Sequence, residues 1–128
     1  MARIKYTLDY VIKSSPSLLY SFLTNPSDLA RWFADAVDKN DKIYSFYWGG
    51  QRENASILQQ EEKSFIRLQF EDNEDGEFLE FRIEKSPITG DTVLIITDFS
   101  DSKADMDDEI KLWNAQVKVL TGKVGGGN

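Results

Sequence analysis

Between residues 36 and 99 the chain alternates strand-like runs with turns, and no helical spacing interrupts them. That stretch limits the fold more than any other feature. Ile43–Trp48 places Tyr44, Phe46 and Trp48 on one face, and Gly49-Gly50 supplies its turn. Ala55–Gln60 is the next strand, followed by a tight turn at Glu61-Glu62-Lys63. In Phe65–Phe70, Ile66, Leu68 and Phe70 share a face; after the polar run Glu71–Glu77, Leu79, Phe81 and Ile83 share one in Phe78–Glu84. Ser86–Asp91 is a turn, and the nearly apolar Val93–Phe99 reads as a strand covered on both sides. Hairpins joined without helices require an antiparallel sheet.

The flanks add one strand and three helices. Residues 3–13 alternate, with Ile4, Tyr6, Leu8, Tyr10 and Ile12 on one face. Ser15-Pro16 starts a short helix with Leu18, Leu19 and Phe22 on a common face. Asn25-Pro26 ends it and starts a second, in which Leu29, Trp32 and Phe33 stand at i, i+3 and i+4. At the other end Met106, Ile110, Trp113, Val117, Leu120 and Val124 form a long helical stripe, capped by Ser102 or Asp101. Leu112, Ala115 and Val119 widen that stripe, so the helix is expected to be held on more than one side. Residues 1–124 read as one domain and 125–128 as a flexible tail.

Composition narrows the chemistry. The chain has neither cysteine nor histidine, which removes thiolate nucleophiles, disulfides, cysteine–metal sites and any Ser-His-Asp or Cys-His centre. What remains for proton transfer is carboxylate, Lys, Tyr or Arg. A formal charge of −7 argues against nucleic acid and anionic membrane surfaces. No apolar run approaches the roughly 18 residues of a membrane span, and the N-terminus enters a strand pattern without an apolar signal segment, so the expected compartment is the cytoplasm. Nothing requires a cofactor or a metal.

Several local features have ordinary explanations. Glu71–Glu77 superficially resembles a calcium loop, but with Gly76 at its sixth position the twelfth is Arg82, where a bidentate Glu is required. The acidic stretch Asp101–Glu109 is accounted for by helix capping and dipole compensation. Gly49-Gly50 lacks the Lys-Ser/Thr of a phosphate loop. Arg67, Gln69 and Arg82 fall opposite Leu68 and Phe81 and are expected in solvent. Asp98 is different: it closes an apolar strand, where burial would raise its pKa and suit it to orient a ligand or act as a base.

The order strand, two short helices, about six strands, long helix resembles the helix-grip order of the START-like (SRPBCC) superfamily. The likeness rests on Ser15-Pro16, Leu19-Tyr20-Ser21-Phe22-Leu23-Thr24-Asn25-Pro26, Leu29-Ala30-Arg31-Trp32-Phe33, Trp48-Gly49-Gly50 and the aromatic-bearing last helix. Within the superfamily it is nearest the Hsp90-ATPase-activator homologue branch. The resemblance implies an α+β helix-grip fold: a curved antiparallel sheet of about seven strands, two strap helices after the first strand, and a long C-terminal helix. It further implies a space between sheet and helix, lined by Trp32, Phe33, Tyr44, Phe46, Trp48, Leu68, Phe70, Phe81, Asp98, Trp113 and Val117, that would take a small apolar ligand. The alternative is that the rings simply fill the core. Two other functions stay open: an Hsp90 co-chaperone-like interaction domain, and a cyclase- or dehydratase-like enzyme using Asp98, Tyr6 or Tyr10. A homodimer contact through an edge strand or the Trp32-Phe33 region is a further reading.

Overall fold

The fold is built on one curved, seven-stranded antiparallel sheet, seen here in a computed structural model that describes residues 3–124; the tail read at 125–128 lies outside them. In chain order the elements are β1 (Ile4–Val11), α1 (Pro16–Thr24), α2 (Pro26–Leu29), β2 (Ala36–Asn40), β3 (Ile43–Trp48), β4 (Gln51–Glu61), β5 (Phe65–Phe70), β6 (Leu79–Lys85), β7 (Thr92–Ser100) and α3 (Lys103–Lys123). The sheet order is β1-β7-β6-β5-β4-β3-β2. Everything from β2 onward is a meander, and β1 returns to pair with β7.

Local chemistry sets most boundaries. Ser15 accepts a hydrogen bond from the Leu18 N–H, Pro16 opens α1, and Asn25 caps α2 through the Ser27 N–H. Ser102 caps α3 through the Asp105 N–H. Gly49 and Gly50, at φ +57° and +83°, form the two-residue turn that closes β3 on β4.

The residues expected to point inward on β3, β5 and β6 do so: Tyr44, Phe46, Leu68 and Phe81 are inaccessible to solvent. Five expectations need correction. β2 was not recognised individually, because Ala-Val-Asp-Lys-Asn has no apolar alternation; it is an edge strand paired only with β3. Leu18 is exposed, since α1 buries Leu19, Tyr20, Phe22 and Leu23 instead. The second helix is a single turn; Trp32 and Phe33 lie in the turn after it, yet both are buried. β7 has one covered face only, with Val93, Ile95 and Phe99 half-exposed on the other. Likewise α3 is held on one side: Leu112 is 65% exposed and Val119 47%, and Ala115 is exposed too, because only the sheet and strap lie against the helix.

Arg67 and Arg82 also depart from the simple expectation. Neither is fully solvated. Both are half-buried on the outer face and hold the buried Glu80 carboxylate at 2.7 and 3.1 Å, while their guanidinium groups stack on Phe78 and Phe65. Burial pushes the Glu80 pKa up, but the two arginines outweigh it and hold the pKa below its ordinary value. The stabilisation from Glu80 is therefore present above the ordinary glutamate pKa and is lost as pH falls through the lowered one. Glu80→Ala should cost roughly 2 kcal/mol at neutral pH, read by urea denaturation, with the deficit shrinking in acid. A deficit unchanged at low pH would contradict the ion-pair account.

Candidate functional site

The inner face of the sheet and the buried side of α3 meet in a seam that is aromatic at one end and polar at the other. Phe33 is central to the aromatic end. Its ring lies 5.1–5.9 Å from those of Trp32, Phe46, Trp48, Phe81 and Trp113, stacking on Trp113 and meeting Phe46, Trp48 and Phe81 edge-on. Tyr44 and Phe70 extend the network through Phe46. Leu68 and Val117 are buried in the same cluster.

The polar edges of these rings fasten the strap segment (residues 16–34) to the sheet and to itself. The Tyr44 hydroxyl donates to the Thr24 carbonyl at 2.6 Å, and the Trp48 indole N–H donates to the Phe33 carbonyl at 2.8 Å. The Trp32 indole N–H donates to the Phe22 carbonyl at 2.7 Å. Gln116 of α3 reaches the same Phe33 carbonyl at 3.3 Å. Beside it a cleft of about 380 Å³ opens between residues 30–35 and α3, bounded by Trp48, Gln116 and Val119. There the aromatic network comes to the surface.

At the polar end the β1–β7 register sets Tyr6 directly opposite Asp98 and Ile4 opposite Ser100, all on the inner face. Glu109 of α3 comes down between them. It accepts from the Tyr6 hydroxyl at 2.8 Å and from the Ser100 hydroxyl at 2.9 Å. The Asp98 carboxylate lies 3.5 Å from the Tyr6 oxygen and accepts from the Phe99 N–H at 2.8 Å. Farther along, the Tyr10 hydroxyl donates to Asn114 at 2.6 Å.

Among the described residues no cation forms an ion pair with Asp98 or Glu109. Burial pushes Asp98 up to about 6, and the nearby Glu109 charge adds to it; the Phe99 N–H, Trp113 and Tyr6 pull only partly the other way. Burial and the bond to Glu109 raise Tyr6 as well, so it stays protonated. Among the residues expected to line an interior space, the structure thus brings the aromatic ones, Leu68 and Val117 into one packed cluster. Asp98 lies at the edge of that cluster, beside Trp113 and Tyr6. Glu109, Ser100 and Gln116 were not anticipated. For Glu109 a signal existed: it sits at i+3 from Met106 and i−4 from Trp113, on the buried stripe.

Comparison with known proteins agrees with this architecture. A family model described as the START-like superfamily domain matches residues 1–126. The chain belongs to the START-like superfamily. A solved START-like neighbour, BfR322 from Bacteroides fragilis, is 35% identical, with 96% of this chain and 92% of that one aligned and a TM-score of 0.67. The Aha1 dimer from Colwellia psychrerythraea is 17% identical over 94% of this chain and 96% of its own, with a TM-score of 0.77. DynU16, from the dynemicin biosynthetic locus, is 13% identical over 97% of this chain and 48% of its own, with a TM-score of 0.76. The last two likenesses carry the fold alone. No curated protein matches the chain in sequence. Among the described residues of this START-like domain, no helix is long and apolar enough to cross a membrane.

The raised Asp98 pKa has a thermodynamic consequence. The folded state binds a proton there that the unfolded chain has released, so this group's penalty is full above about 6 and fades as pH falls toward the model-peptide value of 3.8. Asp98→Asn should therefore stabilise the domain by roughly 2–3 kcal/mol at pH 8. The advantage should shrink through pH 6 and vanish near pH 4, as measured by urea denaturation at each pH. Equal stability of the two proteins at pH 8 would show that Asp98 is not strained by burial.

Proposed function

We propose that this domain binds a small, largely apolar molecule between α3 and the inner face of the sheet. The ligand body would lie on the rings of Phe33, Trp48, Phe81 and Trp113, and its polar end would meet Asp98 and Tyr6. The observation that carries this reading is the Asp98 carboxylate: it is partly buried at the end of an apolar seam, faces Tyr6, and has no ion-pair partner among the described residues. A carboxylate placed there without a counter-charge suits the polar end of a ligand. The cleft at Trp48, Gln116 and Val119 offers an approach to the ring network, and the exposed outer side of α3 leaves that helix free to lift. Because the rings already touch one another, entry means displacing part of α3 rather than filling a preformed void.

The same carboxylate favours a second reading, an acid–base enzyme of the cyclase or dehydratase kind. A carboxylate titrating near 6 beside a protonated tyrosine is able to take up and return a proton at neutral pH. The Hsp90 co-chaperone reading has support only from a likeness of fold to Aha1.

Native mass spectrometry of the purified protein, with extraction of whatever accompanies it, separates these possibilities. The binding reading expects a stoichiometric apolar companion lost on denaturation, or clear thermal stabilisation by members of a panel of fatty acids, sterols and aromatic polyketides. A clean apo mass with no thermal shift across the panel would sink it. If a ligand is turned over, Asp98→Asn should abolish turnover while leaving binding; unimpaired turnover removes the catalytic role.

A further inference from the structure

A second cleft, remote from α3, has a chemical character of its own. It occupies about 430 Å³ between α1, the start of α2, β2 and the β4–β5 turn, a volume suited to a small ligand. Tyr20, Pro26, Lys39 and Lys63 are among its lining residues. Several of its polar groups are committed elsewhere. The Ser21 hydroxyl donates to Asp28 at 2.6 Å, the Thr24 hydroxyl donates to the Tyr20 carbonyl at 2.8 Å, and the Asn25 side-chain oxygen accepts from the Ser27 N–H at 3.0 Å.

The uncommitted groups are mostly donors. The Tyr20 oxygen accepts from the Gln60 amide at 2.8 Å, so its own proton is free. Among the described residues neither Lys39 nor Lys63 belongs to an ion pair; the Lys39 ammonium lies 5.5 Å from the centre of the Tyr44 ring and keeps its N–H donors available. The one carboxylate in the lining is Glu62, against two ammonium groups. A local excess of positive charge and hydrogen-bond donors in a chain of net charge −7 calls for a ligand that brings acceptors.

Lys63 adopts φ +64° in the β4–β5 turn, which the Ser64 N–H closes on the Glu61 carbonyl at 3.0 Å. Glycine would sit at that φ without strain.

We propose that this cleft binds a small organic oxyanion, a phosphate monoester or a carboxylate, whose anionic group lies between Lys39 and Lys63 and whose body rests on Tyr20. The site is separate from the α3 seam and does not depend on what that seam binds. The test is an amide-resolved NMR titration of the whole protein with phenyl phosphate and benzoate as the oxyanion probes, inorganic phosphate to show whether the headgroup suffices, and phenol as the uncharged control. Saturable shifts are expected at Ser17, Tyr20, Gln60 and Lys63 with at least one of phenyl phosphate and benzoate, and not with phenol. Lys39→Gln combined with Lys63→Gln should weaken binding about tenfold or more. Lys63→Gly should weaken binding while leaving the melting temperature unchanged or raised, because it relieves the left-handed strain; that separates a ligand role from a structural one. Lys118→Gln, on the exposed side of α3, should change nothing. The proposal is overturned if neither oxyanion gives saturable shifts at those amides, if phenol shifts them equally, or if Lys118→Gln weakens binding as much as the cleft variants do.

Discussion

The contact of the Phe33 ring with its neighbours is the interaction on which the rest of the architecture leans. Phe33 belongs to the turn after α2, Phe46 and Trp48 to β3, Phe81 to β6 and Trp113 to α3. One side chain thus touches the strap, two separated strands and the closing helix. Its backbone carbonyl receives both the Trp48 indole and the Gln116 amide, so ring and main chain hold the same junction. From β2 to β7 the sheet is assembled by local hairpins and needs no such keystone. The position of strap and helix over its inner face does. Removing the ring would uncouple the layers, because its partners pack on Phe33 from β3, β6, α3 and the strap.

Against that junction stands the opposite end of the seam, where a carboxylate is partly buried without an ion-pair partner among the described residues. Asp98 faces Tyr6 and Glu109 without a positive charge, while the protein shows elsewhere how it neutralises a buried carboxylate: Glu80 is given two arginines. The first turns of α3 are fastened largely by hydrogen bonds from Tyr6 and Ser100 to Glu109, with Met106 and Ile110 only half-buried. The deep apolar anchors of α3, from Trp113 through Val117 and Leu120 to Val124, begin halfway along it. The helix therefore has a firmly seated C-terminal half and a polar, more easily opened N-terminal half. That asymmetry gives the proposed ligand a way under α3 despite a core already filled by rings.

The fold was legible because alternation and helical spacing are local. Leu68, Phe81 and Trp113 announce their faces within a few residues of themselves. What failed was whatever depends on a neighbour. β2 has no apolar alternation because it is an edge strand, and Leu112 and Val119 are apolar on a helix side that nothing covers. In the candidate site, Tyr6 and Asp98 were each visible as inward polar residues, but that they oppose one another follows from the β1–β7 pairing, which spans almost the whole chain. Glu109 was hidden by a competing and sufficient explanation, since an acidic residue early in a helix is expected on dipole grounds alone. The Lys39–Lys63 cleft gathers residues from α1, β2 and the β4–β5 turn, and no spacing in the sequence points to it.

The account stands or falls on whether α3 opens independently of the sheet, and native-state amide hydrogen exchange of the free protein measures that directly. The prediction is that amides between Met106 and Leu112 exchange through local opening, far faster than those of β5, β6 and β7, which should exchange only with global unfolding. Exchange of those α3 amides at the same global rate as the central strands, insensitive to low denaturant, would contradict it: the helix would then be a fixed part of the core, with no ligand site beneath it.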